Sequence, residues 1–313
     1  MTSNAASQGR AHGVLVVDKP AGPTSHDVVD RVRRALAERR VGHTGTLDPF
    51  ATGVLPVCVG KATRLVRFLS GGEKTYRARV RLGFATTTDD LTGAPLAEPC
   101  TVRLDPATVH EACRRLTGAI DQVPPAFSAK HVAGQRLYEL ARRGVAVAPA
   151  PVRVTVYALE LLELAGDRLD LEVRCSAGTY VRALARDLGA ALGVGGHLET
   201  LRRTRSAGFG LERAVAWGAL DESARGRLIP LSDLLPELPA VRVAADGVAA
   251  VRHGRDLDRA RIASGFLERP PPRVRVLDDS GALVALAVPR GFGFQAPGLS
   301  VEPVLHPDVV LLD

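Results

Sequence analysis

The chain has 313 residues, of which 46% are hydrophobic and 24% charged, and its formal net charge is +7. This composition excludes a disordered polymer, and the length favours about two domains. The positive charge favours a polyanionic partner, nucleic acid above all, with an ordinary basic enzyme as the alternative.

Cysteine and histidine spacing argues against a metal site and against a disulfide framework. No C-x-x-C pair occurs, and the eight histidines show no ligand spacing. We therefore expect no bound metal, and buried free thiols in a reducing compartment. The cysteines are Cys58, Cys100, Cys113 and Cys175.

The start of the chain shows no targeting signal. Residues 1–11 are small and polar and lack an apolar core, so we expect a disordered N-terminal lead. Elsewhere no apolar run approaches the roughly 18 residues of a membrane span. These features predict a soluble, cytoplasmic protein without a membrane partner.

The first elements are a strand and a helix. Residues 13–18 form an apolar run that is typical of a buried strand. Thr24-Ser25 offers an N-cap for the helix that follows, with Asp27 in its first turn. A second helix is predicted where apolar residues recur at helical spacing over residues 62–69.

Between these helices, residues 41–56 carry three glycines, two prolines and three threonines around one carboxylate, Asp48. The run is too punctuated for a regular helix or strand, and Pro49 biases Asp48 toward an extended conformation. We expect a tight loop that presents Asp48, with His43 just upstream. Taken alone, the Asp-Pro pair is equally typical of an ordinary turn.

Residues 74–82 alternate as in a half-buried strand. Tyr76 opens the apolar face near the start of the strand, where its side chain can reach a cleft or pack in the core. The opposite face carries Arg77, Arg79 and Arg81. This arginine row is either a phosphate-contacting stripe or a solvated edge.

Later segments complete a mixed α+β body. Helices are predicted near residues 109–116 and 137–141, with a rigid loop over 122–130, and strands over residues 152–164 and 169–175. A helix then follows Tyr180 and Arg182, at a junction where side chains often face a site. Leu201 lies in a basic cluster with Arg202, Arg203 and Arg205.

From about Pro236 the sequence becomes β-rich, and Asp278-Asp279-Ser280-Gly281 joins two β-like runs as a hairpin turn. We place a domain boundary near residues 235–240. It separates a body of residues 12–237 from a small β-rich module of residues 238–313.

Several motifs, in register from Lys19 to Arg203, resemble the TruB family of tRNA pseudouridine synthases. They are Lys19-Pro20 with Gly22 and Thr24-Ser25, Gly42-His43-Thr44-Gly45-Thr46-Leu47-Asp48-Pro49, Ala51-Thr52-Gly53-Val54-Leu55-Pro56, Lys74-Thr75-Tyr76, Asp89-Asp90 with Gly93, Pro124-Pro125 with Ser128-Ala129-Lys130, Gly178-Thr179-Tyr180 with Arg182, and Leu201-Arg202-Arg203.

The resemblance implies a fold and a reaction. The fold is an α+β catalytic core with a mixed, largely antiparallel sheet, followed by a small PUA-like RNA-binding domain. The reaction isomerises uridine 55 in the tRNA T loop to pseudouridine, replacing an N–C glycosidic bond by a C–C bond, without a metal or cofactor. The implied partner is the tRNA T stem-loop, bound by a monomer that needs no protein partner.

The resemblance also implies roles for single residues. Asp48 matches the catalytic aspartate, Tyr76 the tyrosine that stacks on the target base, and His43 a histidine that packs where the extruded nucleotide leaves the RNA stack. Three further positions match residues of the substrate pocket: Tyr180, Arg182 and Leu201.

These roles make chemical sense. A carboxylate can act as nucleophile, but burial alone raises its pKa, so we expect Arg182 to serve as counter-charge. The target base must be flipped out, and an aromatic platform offsets part of the few kcal/mol that this costs. Basic side chains would hold phosphates. The candidates are Lys19, Arg77, Arg79, Lys130, Arg202 and Arg203.

Two alternatives remain. One is the related guide-RNA-dependent synthase, against which we weigh the lack of a lysine-rich tail and of a long N-terminal extension. The other is a non-catalytic tRNA-binding or folding protein. A pure binder has no need of a carboxylate that faces an anionic ligand, so Asp48 discriminates between binding and catalysis.

Overall fold

The computed structural model describes residues 11–125, 131–132, 135–136, 149–265, 272–290 and 304–312. Within them the strands are β1 (Gly13–Lys19), β2 (Val41–His43), β3 (Thr52–Val59), β4 (Lys74–Leu82), β5 (Gly118–Gln122), β6 (His131–Val132), β7 (Gln135–Arg136), β8 (Val152–Ala165), β9 (Arg168–Cys175), β10 (Gly196–Ser206), β11 (Phe209–Gly210), β12 (Val215–Ala216), β13 (Ala240–Val243), β14 (Ile262–Ser264), β15 (Val274–Leu277), β16 (Leu283–Arg290) and β17 (Val304–Val310).

The α-helices of the same ranges are α1 (Ser25–Leu36), α2 (Val66–Leu69), α3 (Pro106–Arg115), α4 (Val181–Ala191) and α5 (Ala245–Arg252). Short 3-10 turns lie at Gly60–Leu65, Leu211–Arg213, Trp217–Ala219, Glu222–Arg227, Leu231–Asp233 and Arg259–Arg261. None of the helices in the described part of the chain is long and apolar enough to cross a membrane.

The main sheet has the strand order β12-β1-β3-β10-β4-β9-β8-β5, with β2 added to β3 and β11 to β10. Two pairings are parallel, β1 with β12 and β3 with β10, and the remaining ones are antiparallel. The predicted α+β core with a mixed, largely antiparallel sheet is confirmed.

Local sequence explains the first elements. Thr24 caps α1 through a capping box with Asp27, so the helix starts where the sequence indicates. In β4, Tyr76, Ala78, Val80 and Leu82 are buried and the intervening side chains are not, which confirms the predicted alternation.

The prediction that residues 41–56 form no regular structure is wrong at both ends. Val41–His43 forms β2, and β3 already begins at Thr52. Gly53 permits this, because it adopts φ 102° and a Cβ there would lie 2.1 Å from the carbonyl oxygen of Arg203. Residues 44–51 remain the loop that carries Asp48.

Both faces of the sheet are covered at β1 and β3, which explains why residues 13–17 of β1 form an unbroken apolar run. On one face, α1, α3 and α4 pack on a large apolar cluster that includes Leu15, Leu55 and Tyr76. On the other face, Val14 and Val54 belong to a second cluster. That cluster also contains Leu283, Leu286, Val309 and Leu311 of the C-terminal module.

The described parts of the C-terminal module form a five-stranded sheet in the order β14-β13-β15-β16-β17, with helix α5 and an apolar cluster of their own. The hairpin predicted around Asp278 is β15–β16. Helix α5 was not predicted, since only β-like runs were identified there. The boundary at 237/238 precedes β13, and it stays a prediction because the second cluster continues across it.

Two further expectations need comment. Cys58, Cys113 and Cys175 are buried free thiols, but Cys100 is exposed, so the prediction of burial is wrong for that residue. Cys100 lies in a segment without regular structure, between β4 and α3. Residues 1–10 and the helix predicted near residues 137–141 lie outside the described residues.

Candidate active site

Lys19, at the end of β1, anchors the loop that carries Asp48. The Lys19 ammonium donates to the carbonyls of Pro20, Pro49 and Ala51, at 2.9, 3.1 and 2.7 Å. Ser25 holds the other side of the loop, because its hydroxyl bonds both the N–H and the C=O of Leu47. The backbone around Asp48 is thus tied to β1 and to the start of α1.

Arg203, on β10, is a second buried side chain that anchors this loop. Its guanidinium donates to the carbonyls of Val54 at 2.7 Å and Gly45 at 3.0 Å. Lys19 and Arg203 are both completely buried. Their prediction as RNA-backbone contacts is therefore wrong: a phosphate cannot reach either charge, and both already donate to backbone carbonyl groups.

The Asp48 carboxylate meets the guanidinium of Arg182, which projects from the first turn of α4. Arg182 Nε lies 3.0 Å from one carboxylate oxygen of Asp48, and Arg182 Nη2 lies 3.3 Å from the other. The predicted pairing is thus present in two-point geometry, which fixes the carboxylate plane. The Asp48 side chain is 34% exposed and that of Arg182 only 7%, so the carboxylate is the accessible partner.

Arg182 is shared with a second carboxylate, Asp90, which was quoted in a motif but not identified as a site residue. Asp90 Oδ2 lies 3.4 Å from Arg182 Nη1. Asp90 Oδ1 accepts from the Thr88 hydroxyl and from both the N–H and hydroxyl of Thr92, at 2.6–2.9 Å. The Thr-x-Asp-x-Thr spacing of this polar loop is the signal that could have revealed an oriented carboxylate.

The charges of the site have opposing effects on the pKa of Asp48. Burial raises that pKa above the ordinary aspartate value, Arg182 opposes the rise, and Asp90 adds to it. The net direction is upward. Burial also lowers the pKa of Lys19 to about 8, against the attraction of Asp48.

Tyr76 and Leu201 belong to the apolar cluster on the α1, α3 and α4 face of the sheet, and Tyr76 is within electrostatic reach of Asp48. Both are buried, and they lie on the neighbouring strands β4 and β10, where Leu201 is in register with Ala78. Burial raises the pKa of the Tyr76 phenol, while Arg203, to which the phenol is hydrogen-bonded, opposes the rise. Their contact with substrate stays a prediction.

His43 and Tyr180 lie at the rim. His43 ends β2, and its Nδ1 accepts from the N–H of Gly45 at 3.3 Å. Burial lowers the pKa of His43, and the Arg203 charge adds to the effect. Tyr180 precedes α4, and Gln122 bonds both its N–H and its C=O, at 2.7 and 3.1 Å. Substrate contact by these two residues also stays a prediction.

The structure does not bring Arg77, Arg79 or Arg202 to Asp48. They point from the sheet face opposite Tyr76 and Arg203, and each is ion-paired: Arg77 with Glu172, Arg79 with Asp170 and Arg202 with Asp18, at 3.0, 2.6 and 2.8 Å. This arrangement favours the solvated edge over the phosphate-contacting stripe. Lys130 lies outside the described residues.

A partly exposed carboxylate that is paired with a buried guanidinium suits nucleophilic or acid–base chemistry. Among the described residues, no group of three or more His, Cys, Asp or Glu side chains is placed to hold a metal ion.

Comparison with known proteins agrees with these features. Residues 33–181 match the TruB family pseudouridylate synthase N-terminal domain, and residues 182–227 match the tRNA pseudouridylate synthase B C-terminal domain. The tRNA pseudouridine synthase B of Solibacter usitatus is 45% identical over 306 residues, which cover 96% of this chain and 99% of that protein. The enzyme of the same name from Gloeobacter violaceus is 52% identical over 223 residues, covering 70% and 76%.

Two solved structures are similar over nearly the whole chain. A Cbf5-Nop10-Gar1 complex aligns with TM-score 0.71 and 29% identity, covering 96% of this chain and 85% of the matched one. An H/ACA RNP bound to a substrate RNA containing 2′-deoxyuridine aligns with TM-score 0.70 and 28% identity, covering 97% and 86%. The sequence motifs, the fold and these matches together show that the chain belongs to the TruB family of pseudouridylate synthases.

Proposed function

We propose that the protein isomerises uridine 55 in the T loop of tRNA to pseudouridine, with Asp48 as the catalytic residue. The observation that carries the proposal is the accessible Asp48 carboxylate, held in two-point contact by the buried Arg182. Membership of the TruB family and 45% identity to a tRNA pseudouridine synthase B over 96% of the chain support the substrate.

The reaction replaces the N1–C1′ bond of uridine by a C5–C1′ bond, and the C5 proton is exchanged for one on N1. A group must therefore attack or deprotonate the nucleotide while the detached uracil is retained. Asp48 supplies this carboxylate. Arg182 opposes the rise that burial causes in the pKa of Asp48, and it fixes the direction of the oxygens.

The substrate enters as a flipped nucleotide. Tyr76 would stack on the uracil and Leu201 would close the apolar side of the pocket, since both belong to the apolar cluster on the α1, α3 and α4 face of the sheet. Tyr180 would form the wall next to Arg182, because Gln122 fixes its backbone. His43, at the end of β2, would fill the space that the flipped nucleotide leaves in the RNA stack.

Residues 12–237 form the catalytic domain in this proposal, and residues 238–313 a PUA-like RNA-binding domain. The enzyme acts in the cytoplasm, as a monomer and without an obligatory protein partner. A stand-alone enzyme is favoured over a guide-RNA complex because identity to the two named tRNA enzymes is 45% and 52%, against 28–29% for the H/ACA proteins.

The test is to incubate the purified protein alone with an unmodified tRNA transcript and to map pseudouridine at single-nucleotide resolution. We expect modification at position 55 and none in a matched transcript that carries cytidine there. Asp48→Asn should bind the transcript without converting it. Absence of product with folded wild-type protein, or product only after a guide RNA is added, would refute the proposal.

A further inference from the structure

Two consecutive carboxylates, Asp89 and Asp90, face the same helix. Arg186 Nη1 lies 2.9 Å from Asp89 Oδ2, and Arg182 Nη1 lies 3.4 Å from Asp90 Oδ2. The two arginines are four residues apart, so they occupy one face of α4. These two ion pairs form a ladder of two guanidinium groups against two neighbouring carboxylates. Arg186 pairs with Asp89, and Arg182, which also contacts Asp48, pairs with Asp90.

This ladder requires an unusual backbone. Consecutive side chains of an extended segment point to opposite sides, but Asp89 adopts φ 60°, in the left-handed region. That conformation turns the chain so that both carboxylates reach α4. It is held by the Leu198 N–H, which donates to the Asp89 carbonyl at 3.0 Å, and by the Leu91 N–H, which donates to the Leu198 carbonyl at 2.9 Å.

Arg186 joins three segments of the chain at this point. Besides Asp89, it contacts Asp187 on its own helix at 2.9 Å and donates to the Val123 carbonyl, just after β5, at 3.0 Å. The Asp89 side chain is only 12% exposed. Without Arg186 it would be a largely buried carboxylate whose next cation is Arg182.

We propose that Arg186 and Asp89 form a positioning pair for catalysis, which satisfies Asp89 locally and so leaves Arg182 to Asp48 and Asp90. Four carboxylates, those of Asp48, Asp89, Asp90 and Asp187, surround the two guanidinium groups here. When Arg186 is absent, Asp48, Asp89 and Asp90 compete for Arg182, and the two-point contact with Asp48 is weakened. The kinetic consequence of this inference rests on the proposed function, whereas the electrostatic consequence does not.

The charged groups around each carboxylate give the sign of the effect. Asp48 faces Arg182 of α4, Asp90 of the polar loop and Lys19 of β1. Asp89 faces Arg186, Arg182 and Asp187, all of α4. Drawing Arg182 toward Asp89 removes the attraction that opposes the raised pKa of Asp48, so that pKa rises further and the acid limb of activity moves to higher pH.

The experiment compares Arg186→Met with the double variant Arg186→Met/Asp89→Gly. Glycine removes the competing carboxylate and adopts positive φ without strain. We expect Arg186→Met to lower kcat by on the order of tenfold to a hundredfold, with KM for tRNA changed less than about twofold. Its acid limb should move to higher pH. The double variant should recover most of kcat and the wild-type limb.

Arg114→Met is the matched control, because it removes a helical arginine that is paired with Glu111 at 2.8 Å on α3 and is exposed to solvent. It should leave kcat, KM and the acid limb unchanged. Arg186→Lys retains the charge but loses the fork that reaches Asp89 and Val123 together, so it should fall between wild type and Arg186→Met. This milder variant also serves if Arg186→Met does not fold.

The proposal is overturned if Arg186→Met keeps wild-type kcat and acid limb, or if the double variant is as impaired as the single one. A ¹³C NMR titration of the Asp48 carboxyl in the free protein separates this outcome from failure of the proposed function. An upward shift of the Asp48 pKa in Arg186→Met, reversed in the double variant, supports the inference even if no tRNA is modified. An unchanged titration refutes it.

Discussion

Replacing the buried Lys19 by methionine gives a stability test of the catalytic loop. Burial lowers the pKa of Lys19 from 10.5 to about 8. A lowered lysine pKa means that the folded chain binds this proton less tightly than the unfolded chain. The wild-type free energy of unfolding therefore rises with pH between about 8 and 10.5.

The size of the effect follows from the two pKa values. Their difference corresponds to about 3.4 kcal/mol in total, of which roughly 1.3 kcal/mol is recovered between pH 7 and pH 9. Lys19→Met abolishes this cost of charge burial. It also removes the donor of the Pro20 and Ala51 carbonyls, at about 1–3 kcal/mol each, whereas the Pro49 carbonyl keeps the Gly22 N–H as a donor. The mid-range balance at pH 7 is a net loss of about 0.5–1 kcal/mol.

The assay is urea unfolding at pH 7, 8 and 9, followed by fluorescence of the single tryptophan, Trp217. Thiols titrate in both proteins, so the difference between wild type and Lys19→Met isolates the lysine. That difference should grow by roughly 1.3 kcal/mol from pH 7 to pH 9. Lys61→Met is the control and should show the wild-type pH dependence. A Lys19→Met variant that also follows wild type at all three pH values would refute the reasoning.

Four further predictions concern the site and the module. Asp48→Asn should abolish pseudouridine formation, while its affinity for tRNA stays within about tenfold of the wild-type affinity. Its melting temperature at pH 7 should equal or exceed that of wild type, because burial raises the Asp48 pKa and so makes the ionised form unfavourable in the fold. Tyr76→Leu should slow single-turnover conversion roughly 5- to 150-fold, the equivalent of one lost base–aromatic stack; a wild-type rate would mean that Tyr76 is only a core residue. Binding of tRNA should weaken steeply with salt, and Arg77→Ala/Arg79→Ala should leave that slope unchanged in filter binding, since both arginines are already neutralised by carboxylates. A chain ending at Pro236 should melt lower and aggregate, because it uncovers the apolar face shared with the C-terminal module; a monomeric product with wild-type melting would argue for independent domains.

The Asp48–Arg182 pair and the burial of Tyr76 were predictable from the sequence. Asp48 is the one carboxylate in a run of turn-forming residues, and a partly buried carboxylate requires a cation; the resemblance to the TruB family indicated Arg182, at a strand-to-helix junction. The alternation of β4 assigned Tyr76 to the buried face. The pattern of side chains was sufficient for Tyr76, whereas the pair also required the resemblance.

Lys19 and Arg203 were misassigned because their partners are backbone carbonyls. The sequence shows that a charge is present, but it does not show which carbonyl groups of a loop lack donors. In a basic protein that binds RNA, phosphate is the default partner for any arginine, and these two were therefore interpreted as surface groups. The same limit hid Asp90, whose role depends on which of its oxygens the Thr88 and Thr92 donors occupy.

Composition located the β-rich module but could not show how it is attached. Its strands begin at Ala240, close to the predicted boundary. Yet Asp308 pairs with Arg67 beyond that boundary at 2.9 Å, and Arg64 donates to the carbonyl of Val310. The apolar residues of β1 and β3 that the module covers are also typical of an ordinary buried strand. The sequence pattern therefore did not indicate that residues 238–313 pack against them.

The groups around Asp48 favour a more basic and nucleophilic carboxylate over one that ionises readily. Among the described residues, three cations lie in this part of the fold: Lys19 and Arg203 donate to backbone carbonyls, and Arg182 contacts the carboxylate. Asp90 shares that guanidinium, so burial prevails and the pKa of Asp48 rises. A carboxylate with a raised pKa is a stronger base and nucleophile than an ordinary aspartate. Asp90 shares the charge of Arg182, so Arg182 does not neutralise Asp48 completely. The guanidinium still fixes the orientation of the Asp48 oxygens.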